Sequence, residues 1–317
     1  MIIEKLMKEY LIVKQIKICK GGIKMSGTDW NTHLEYLRES RKRWINLDYV
    51  EFLVEKVWRI DKPVRVADFA CGLGYLGSIL MPILPNGSTY TGFDNADTLL
   101  KEAKQIFKEA DYETNFSKYD LINEDINGKY DVVICQAFLM HLPEPEKMIK
   151  KMIDVTIDGG LIICIDNNWN VCNAAMYIDG LDVDGKCNLG LLSKLWKNEK
   201  EVYGSDKCIG TKLPAMMQKL GLKNVSMRLN DCVRFINPYG NKDEYKKQLE
   251  TFYADGWGHE IGDESEFVKS LCNRGLTEEE AHYQYRCEKE INDYVREMGE
   301  NLMALTVPTM FISFGTK

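Results

Sequence analysis

The sequence predicts a doubly wound α/β domain, and three observations carry that expectation. Short runs at 131–135 and 161–166 are wholly apolar but for one terminal acid each, the pattern of strands covered on both faces in a parallel sheet, and a third strand-like run stands at 64–69. Segments of helical periodicity separate these runs. Glycine and proline clusters mark the joints, so strand and helix alternate along the chain.

Each element has its own signal. Residues 30–59 read as helix in two pieces, with Leu47, Val50, Phe52, Leu53, Val57 and Trp58 on an apolar face before Pro63 breaks the pattern. A strand at 64–69 leads into a helix at 76–84, stopped by the turn Pro85-Asn86-Gly87. The next strand, 88–93, is closed by Asp94. A helix at 96–110 carries Leu99, Leu100, Ala103 and Phe107 on one side, and a weaker strand at 114–118 ends at Tyr119-Asp120. After strand 131–135 come a helix at 143–155, a break at Gly159-Gly160 and strand 161–166. Beyond Asn170 the pattern loosens. A helix at 209–220 is ended by Gly221, one long strand is expected at 223–236, helical and charged sequence fills 241–305, and an apolar strand at 307–314 completes the fold.

Composition narrows the function classes. The 317 residues are 45% hydrophobic and 28% charged, an ordinary globular balance able to bury a sizeable core. A net charge of −7 speaks against a nucleic-acid partner, which needs a basic face. The ten cysteines show no C-x-x-C spacing, so reduced thiols and a cytoplasmic location are expected. No apolar run approaches the roughly 18 residues of a membrane span. Lys20-Gly21-Gly22-Ile23-Lys24-Met25 is compatible with codons for a ribosome-binding sequence ahead of an ATG. Residues 1–24 are therefore either a misassigned leader, with translation starting at Met25, or a true amphipathic extension.

The densest information lies at Asp68-Phe69-Ala70-Cys71-Gly72-Leu73-Gly74-Tyr75-Leu76-Gly77. Glycines after a strand let the backbone approach a nucleotide-like cofactor, and the following helix offers free N–H groups. Taken literally, Gly72-x-Gly74-x-x-Gly77 is the dinucleotide fingerprint of NAD(P)-dependent oxidoreductases. Asp68, four residues ahead of Gly72, argues for another cofactor: it can accept from loop N–H groups and help hold an ammonium group. Asp94, at a strand end, can accept both ribose hydroxyls.

With Asp68-x-Ala70-x-Gly72-x-Gly74, Asp94, Tyr119-Asp120-Leu121 and Gln136-Ala137-Phe138-Leu139-Met140-His141-Leu142-Pro143 in this order, the chain resembles the class I S-adenosylmethionine-dependent methyltransferases. The likeness covers roughly 64–166 and continues more weakly through the final strands. It implies a Rossmann-like, seven-stranded, mainly parallel sheet. The expected divisions are a helical cap at 25–62, a cofactor domain at 63–240, a helical insertion or lid at 241–305 and the last strand at 306–317. It also implies S-adenosylmethionine as cofactor, held by Asp68, Ala70, Gly72, Gly74, Asp94, Asp120, Leu121, Gln136 and Ala137. Ala70 departs from the family's usual glycine, which is harmless if its φ is negative and puts a methyl group near the ligand.

Methyl transfer from a sulfonium needs alignment and exclusion of water, and a base only where the acceptor must lose a proton. His141 is either that base or a histidine satisfied locally at a helix entry. Gln136-Ala137-Phe138 differs from the Asn/Asp-Pro-Pro-aromatic tetrad of members that methylate base amines or protein glutamine, so a small-molecule acceptor is expected. Asn167 and Asn168, Tyr49 in the cap and Trp257 between glycines are the candidate acceptor contacts; Trp257 belongs either to a mobile lid or to a packed helix-turn. A non-catalytic S-adenosylmethionine-binding regulator is the remaining alternative, and the chain is expected to be a monomer or homodimer.

Overall fold

The computed structural model describes residues 44–317. The expectations for 1–24, for a start at Met25 and for the first part of the cap lie outside them. The chain divides into two compact units. Among the described residues the first comprises 44–168, Cys208–Asp231 and Met310–Lys317, and the second Trp169–Lys207 and Cys232–Thr309.

Among the described residues the first unit opens with helix α1 (Leu47–Phe52), which runs directly into a π-helical turn, Leu53–Trp58. Then follow β1 (Arg65–Phe69), α2 (Tyr75–Leu80), β2 (Thr89–Asp94), α3 (Asp97–Ile106), β3 (Thr114–Lys118), β4 (Tyr130–Gln136), α4 (Pro145–Val155) and β5 (Thr156–Asn167). The chain passes into the second unit with α5 (Trp169–Ala174), β6 (Met176–Ile178), α6 (Val183–Lys186) and α7 (Leu189–Tyr203). It returns for α8 (Leu213–Lys219) and β7 (Lys223–Leu229). It leaves again for β8 (Arg234–Ile236), α9 (Lys242–Ala254), α10 (Glu264–Asn273), α11 (Glu278–Met298) and β9 (Ala304–Thr306), and ends in the first unit with β10 (Met310–Thr316).

The first unit holds a seven-stranded sheet in the order β3-β2-β1-β4-β5-β10-β7. β1 to β5 are mutually parallel, and β10 runs antiparallel to both β5 and β7. The carboxyl ends of β1 to β5 and of β7 therefore share one edge, and the chain order reverses beside β1, the place where such sheets bind ligands. One apolar cluster packs Val50, Leu53 and Val54 from the cap and Leu76 and Leu80 from α2 onto Val66, Ile134, Ile163, Ile165, Ile312 and Phe314 of the sheet. That is the doubly wound sheet expected from the sequence.

Several expectations are corrected. Gly159-Gly160 do not precede a strand; they lie inside β5. Pairing slips there from Tyr130↔Thr156 to Val132↔Leu161, a bulge that absorbs the extra residues. The stretch 223–236 is two strands: β7 joins the seven-stranded sheet, while β8 joins a three-stranded antiparallel sheet, β6-β9-β8. The final strand is Met310–Thr316 rather than 307–314. The second unit takes 169–207 and begins again at Cys232, whereas the sequence assigned 63–240 to one domain and only 241–305 to an insertion.

The second unit has cores of its own. Ile178, Ile236, Phe252, Ile291, Val295 and Leu302 form one; Leu195, Phe267, Leu271 and Tyr285 form another. Thr277 and Glu280 cap α11 reciprocally at its start.

Candidate functional site

The glycine turn sits at the carboxyl end of β1, and its three glycines do different work. Gly72 (φ 54°) opens onto space: a Cβ there would meet nothing nearer than Leu99 Cδ1 at 3.9 Å. Its backbone is thus free to be approached by a ligand. A Cβ on Gly74 would stand 2.7 Å from the Phe107 ring, and one on Gly77 2.6 Å from Tyr90. The last two glycines serve packing of the turn and α2 against α3 and β2. The turn is fastened to β2 by Cys71 N–H, which donates to Phe93 O (3.0 Å), and by Gly72 N–H, which donates to Asp94 Oδ2 (2.8 Å).

Asp94, 8% exposed, closes β2, and its other oxygen accepts from Ala96 N–H at 2.9 Å. Burial raises its pKa, and the N–H groups of Ala96, Gly72 and Asn95 oppose that rise without cancelling it. Asp68, 2% exposed, accepts from the Tyr90 hydroxyl at 2.6 Å. Burial and the nearby Asp68 charge in turn push the Tyr90 phenol well up, so it stays a donor. Tyr90 carries no motif signal. Its role follows only from the Tyr90 ring, stacked on Phe107, reaching across from β2 to β1.

Ala70 corrects an expectation. Its φ is 58°, so alanine here occupies the left-handed region that its β-carbon disfavours. Ala137, at the end of β4, does the same with φ 48°, and its N–H donates to Ile165 O at 2.8 Å. Two strained alanines thus flank the adjacent carboxyl ends of β1 and β4, and strain of this kind clusters at ligand sites.

Asp120 follows β3 and is a turn-former. Its carboxylate accepts from Ile122 N–H (3.1 Å), Asn123 N–H (3.3 Å) and the Asn123 side chain (2.7 Å), and its pKa is lowered chiefly by the last of these. Leu121 beside it is buried, and Lys151 donates to the carbonyls of Leu121, Ile122 and Glu124. Gln136 ends β4, and His141 ends a 3-10 turn, Leu139–His141, whose Leu139 N–H donates to the buried Asp166 carboxylate (3.1 Å). Asn167 ends β5, and Asn168 donates to Thr211 Oγ1 at 3.1 Å.

The cap reaches the same edge through Tyr49 and Asn46, which meet the ends of β7 and of the segment after it, where Asn230 and Asp231 were not singled out in the sequence. Tyr49 donates its hydroxyl to Leu229 O at the end of β7 (2.8 Å). Asn46 gives its backbone and side-chain N–H groups to Asp231 at 3.2 and 2.9 Å. Asn230 donates to Trp44 O (2.6 Å) and accepts from Met310 N–H (2.7 Å), tying cap, β7 and β10 together. An Asn-Asp pair just past a strand was the available signal. Trp257 belongs to the second unit. Its ring stacks on Phe252 (5.9 Å) in that unit's core, and Gly258 N–H beside it donates to Asn292 Oδ1 at 2.7 Å. That packing favours the helix-turn of the two alternatives.

No group of three or more metal-ligating side chains occurs among the described residues. Residues 60–216 match a family model described as a methyltransferase domain. A ubiquinone biosynthesis O-methyltransferase of Shewanella pealeana is 27% identical over 150 residues, 47% of this chain and 61% of that protein. One of Coxiella burnetii is 28% identical over 111 residues, covering 34% and 46%. The chain thus spans less than two thirds of the length of these curated relatives. The solved structure of YjhP from E. coli aligns over 90% of this chain and all of its own, with 15% identity and a TM-score of 0.48. The methyltransferase-domain match overlies the strands and turns that build this edge, and residues 60–216 form a methyltransferase domain of the class I, S-adenosylmethionine-dependent kind.

Proposed function

We propose that the protein transfers the methyl group of S-adenosylmethionine to a small-molecule acceptor, releasing S-adenosylhomocysteine. The observation that carries this reading is the open Gly72 backbone pinned to Asp94 at the switch point of the sheet, within the segment matched as a methyltransferase domain. The methyltransferase-domain match over 60–216, which contains the three glycines, favours this reading over the nicotinamide one.

The site residues fit the cofactor. Asp94 keeps lone pairs free of Gly72 and Ala96 for the ribose hydroxyls, and Asp68, steadied by Tyr90, holds negative charge beside the turn for the ammonium. Leu121 N–H and Asp120 flank the adenine, and the Gln136-Ala137 backbone lines the methionine side. Bound there, S-adenosylmethionine supplies an electrophilic methyl group on sulfur. The chain's task is to orient the acceptor and keep water out, which can lower a barrier by about 7–11 kcal/mol. His141 is the group we assign to remove the acceptor's proton, with Asn167, Asn168 and Tyr49 as acceptor contacts. The relatives are named O-methyltransferases, which favours oxygen as the nucleophile here.

An acidic chain, net charge −7, fits a small-molecule partner better than nucleic acid. The nine described cysteines are free, and no described helix is long and apolar enough to cross a membrane; we place the reaction in the cytoplasm. Calorimetric titration with S-adenosylhomocysteine, and its release on incubation with S-adenosylmethionine and a metabolite pool, test the proposal. Asp94→Ala should weaken cofactor binding at least about tenfold, the loss of one hydrogen bond to a charged group. Unchanged affinity would remove the ribose from Asp94, and tight binding without turnover would favour a regulator.

A further inference from the structure

Two buried carboxamides at the carboxyl edge stand out. Gln136 is 9% exposed and Asn167 3%. Gln136 Nε2 and Asn167 Oδ1 are buried, and neither has a hydrogen-bond partner among the described residues. Such groups cost about 1–3 kcal/mol when left unpaired in a finished fold, so a pair of them side by side points to a missing ligand.

Sheet register places them together. Gln136 is paired with Ile165 on the neighbouring strand, and Asn167 lies two residues further along β5, so both side chains project from one face. It is the face of Ile134, Ile163 and Ile165 and of Met310, which is paired with Asn167. The Asp166 carboxylate projects from the opposite face, where it accepts from Leu139 N–H. The cap arrives on the Gln136–Asn167 side: Trp44 O is held by Asn230, whose backbone and side chain bond Met310. Asn167 lies at the end of β5, with β4 between it and the glycine turn that follows β1.

We propose that Gln136 and Asn167 form the polar clamp for the methyl acceptor and select a neutral group that both donates and accepts hydrogen bonds, such as a hydroxyl or a carboxamide. This rests on the methyltransferase reading and names its substrate class. The chemistry follows from the side chains. Each carboxamide offers a donor and an acceptor but no charge. Asp68, which register places on this same face, is the carboxylate we assign to the cofactor's ammonium; with it so engaged, an ionised group drawn between the carboxamides would lose its water without gaining a counter-charge, which is costly in an apolar setting. A neutral hydroxyl accepts from the Gln136 N–H while donating to the Asn167 oxygen, and this fixes the direction of its remaining lone pair.

The test uses the full chain saturated with S-adenosylhomocysteine and four single-ring probes: phenol and benzamide, which are neutral, and benzoate and benzylammonium, which are charged. Phenol or benzamide should bind more tightly than either ion. Gln136→Leu and Asn167→Leu should each weaken the neutral probe about three- to tenfold, the worth of one neutral hydrogen bond. Asn167→Leu should leave S-adenosylhomocysteine affinity unchanged, and neither variant should lower the melting temperature, since leucine removes an unpaired polar atom. Equal or tighter binding of an ion, no binding of either neutral probe at millimolar concentration, a cofactor affinity lost in Asn167→Leu or a lowered melting temperature would each overturn the clamp. Failure of the wild-type chain to bind S-adenosylhomocysteine would overturn the methyltransferase reading instead.

Discussion

Ala70 holds its backbone at φ 58° where a glycine would do so without strain. Ala70→Gly is therefore expected to raise the unfolding free energy by up to about 1 kcal/mol, the strain relieved less the entropy that glycine adds to the unfolded chain. Urea denaturation checks this; a clear loss of stability would mean that the methyl group is packed to advantage. Asp94 gives a pH signature. Burial raises its folded pKa, so lowering the pH protonates it before an ordinary carboxyl would titrate, at about 4. The protonated form accepts fewer hydrogen bonds, so S-adenosylhomocysteine affinity should begin to fall above that range. Asp120, whose pKa is lowered by Asn123, remains ionised there and contributes nothing to this limb. Asp94→Asn should flatten the profile. An affinity constant down to about pH 4 would contradict the assignment.

At the scale of elements, α2 and β2 meet where Gly77 lies under Tyr90. The ring cannot retreat, because it stacks on Phe107 with centroids 5.7 Å apart and its hydroxyl holds Asp68. Gly77→Ala should destabilise the first unit by about 1–3 kcal/mol and weaken cofactor binding with it, as Asp68 loses its brace. Denaturation and calorimetry read the two effects; full stability with full affinity would show that the turn yields cheaply. Asn230 is the corresponding joint at the other side of the sheet. Asn230→Ala removes bonds to Trp44 O and Met310 N–H and should cost about 1–3 kcal/mol. The strands at this edge were legible because β4 and β5 are apolar on both faces and end in polar residues. The joints were not: Tyr90 and Asn230 act through contacts distant in sequence, which no local pattern records.

For the whole molecule, the division into two units with separate cores makes a specific demand. In the second unit Arg274 and Glu199 form a buried ion pair beneath Trp196, with the guanidinium 5.4 Å from the ring. Arg274→Met leaves a buried carboxylate alone and should destabilise that unit by about 3–5 kcal/mol. S-adenosylhomocysteine affinity, a property we assign to the first unit, should be unchanged; its loss would contradict that assignment. In wild type, ligand at about a hundred times its Kd should stabilise the unit that binds it by about 2.7 kcal/mol, visible as a shift in its thermal transition.

The sequence by itself determined the succession of parallel strands and helices along the chain, the turn after β1 and the resemblance that implies the cofactor. Those properties are written over a few neighbouring residues: apolar runs, glycine spacing and acids at strand ends. Only the tertiary structure decided that 223–236 serves two sheets, that Gly72 alone of the three turn glycines opens to a ligand, and that Ala70 is strained. It also decided that Gln136 and Asn167 stand unpaired on one face. Strand pairing, packing against a distant ring and burial of a polar atom depend on residues far apart in the chain, and a local pattern does not contain them.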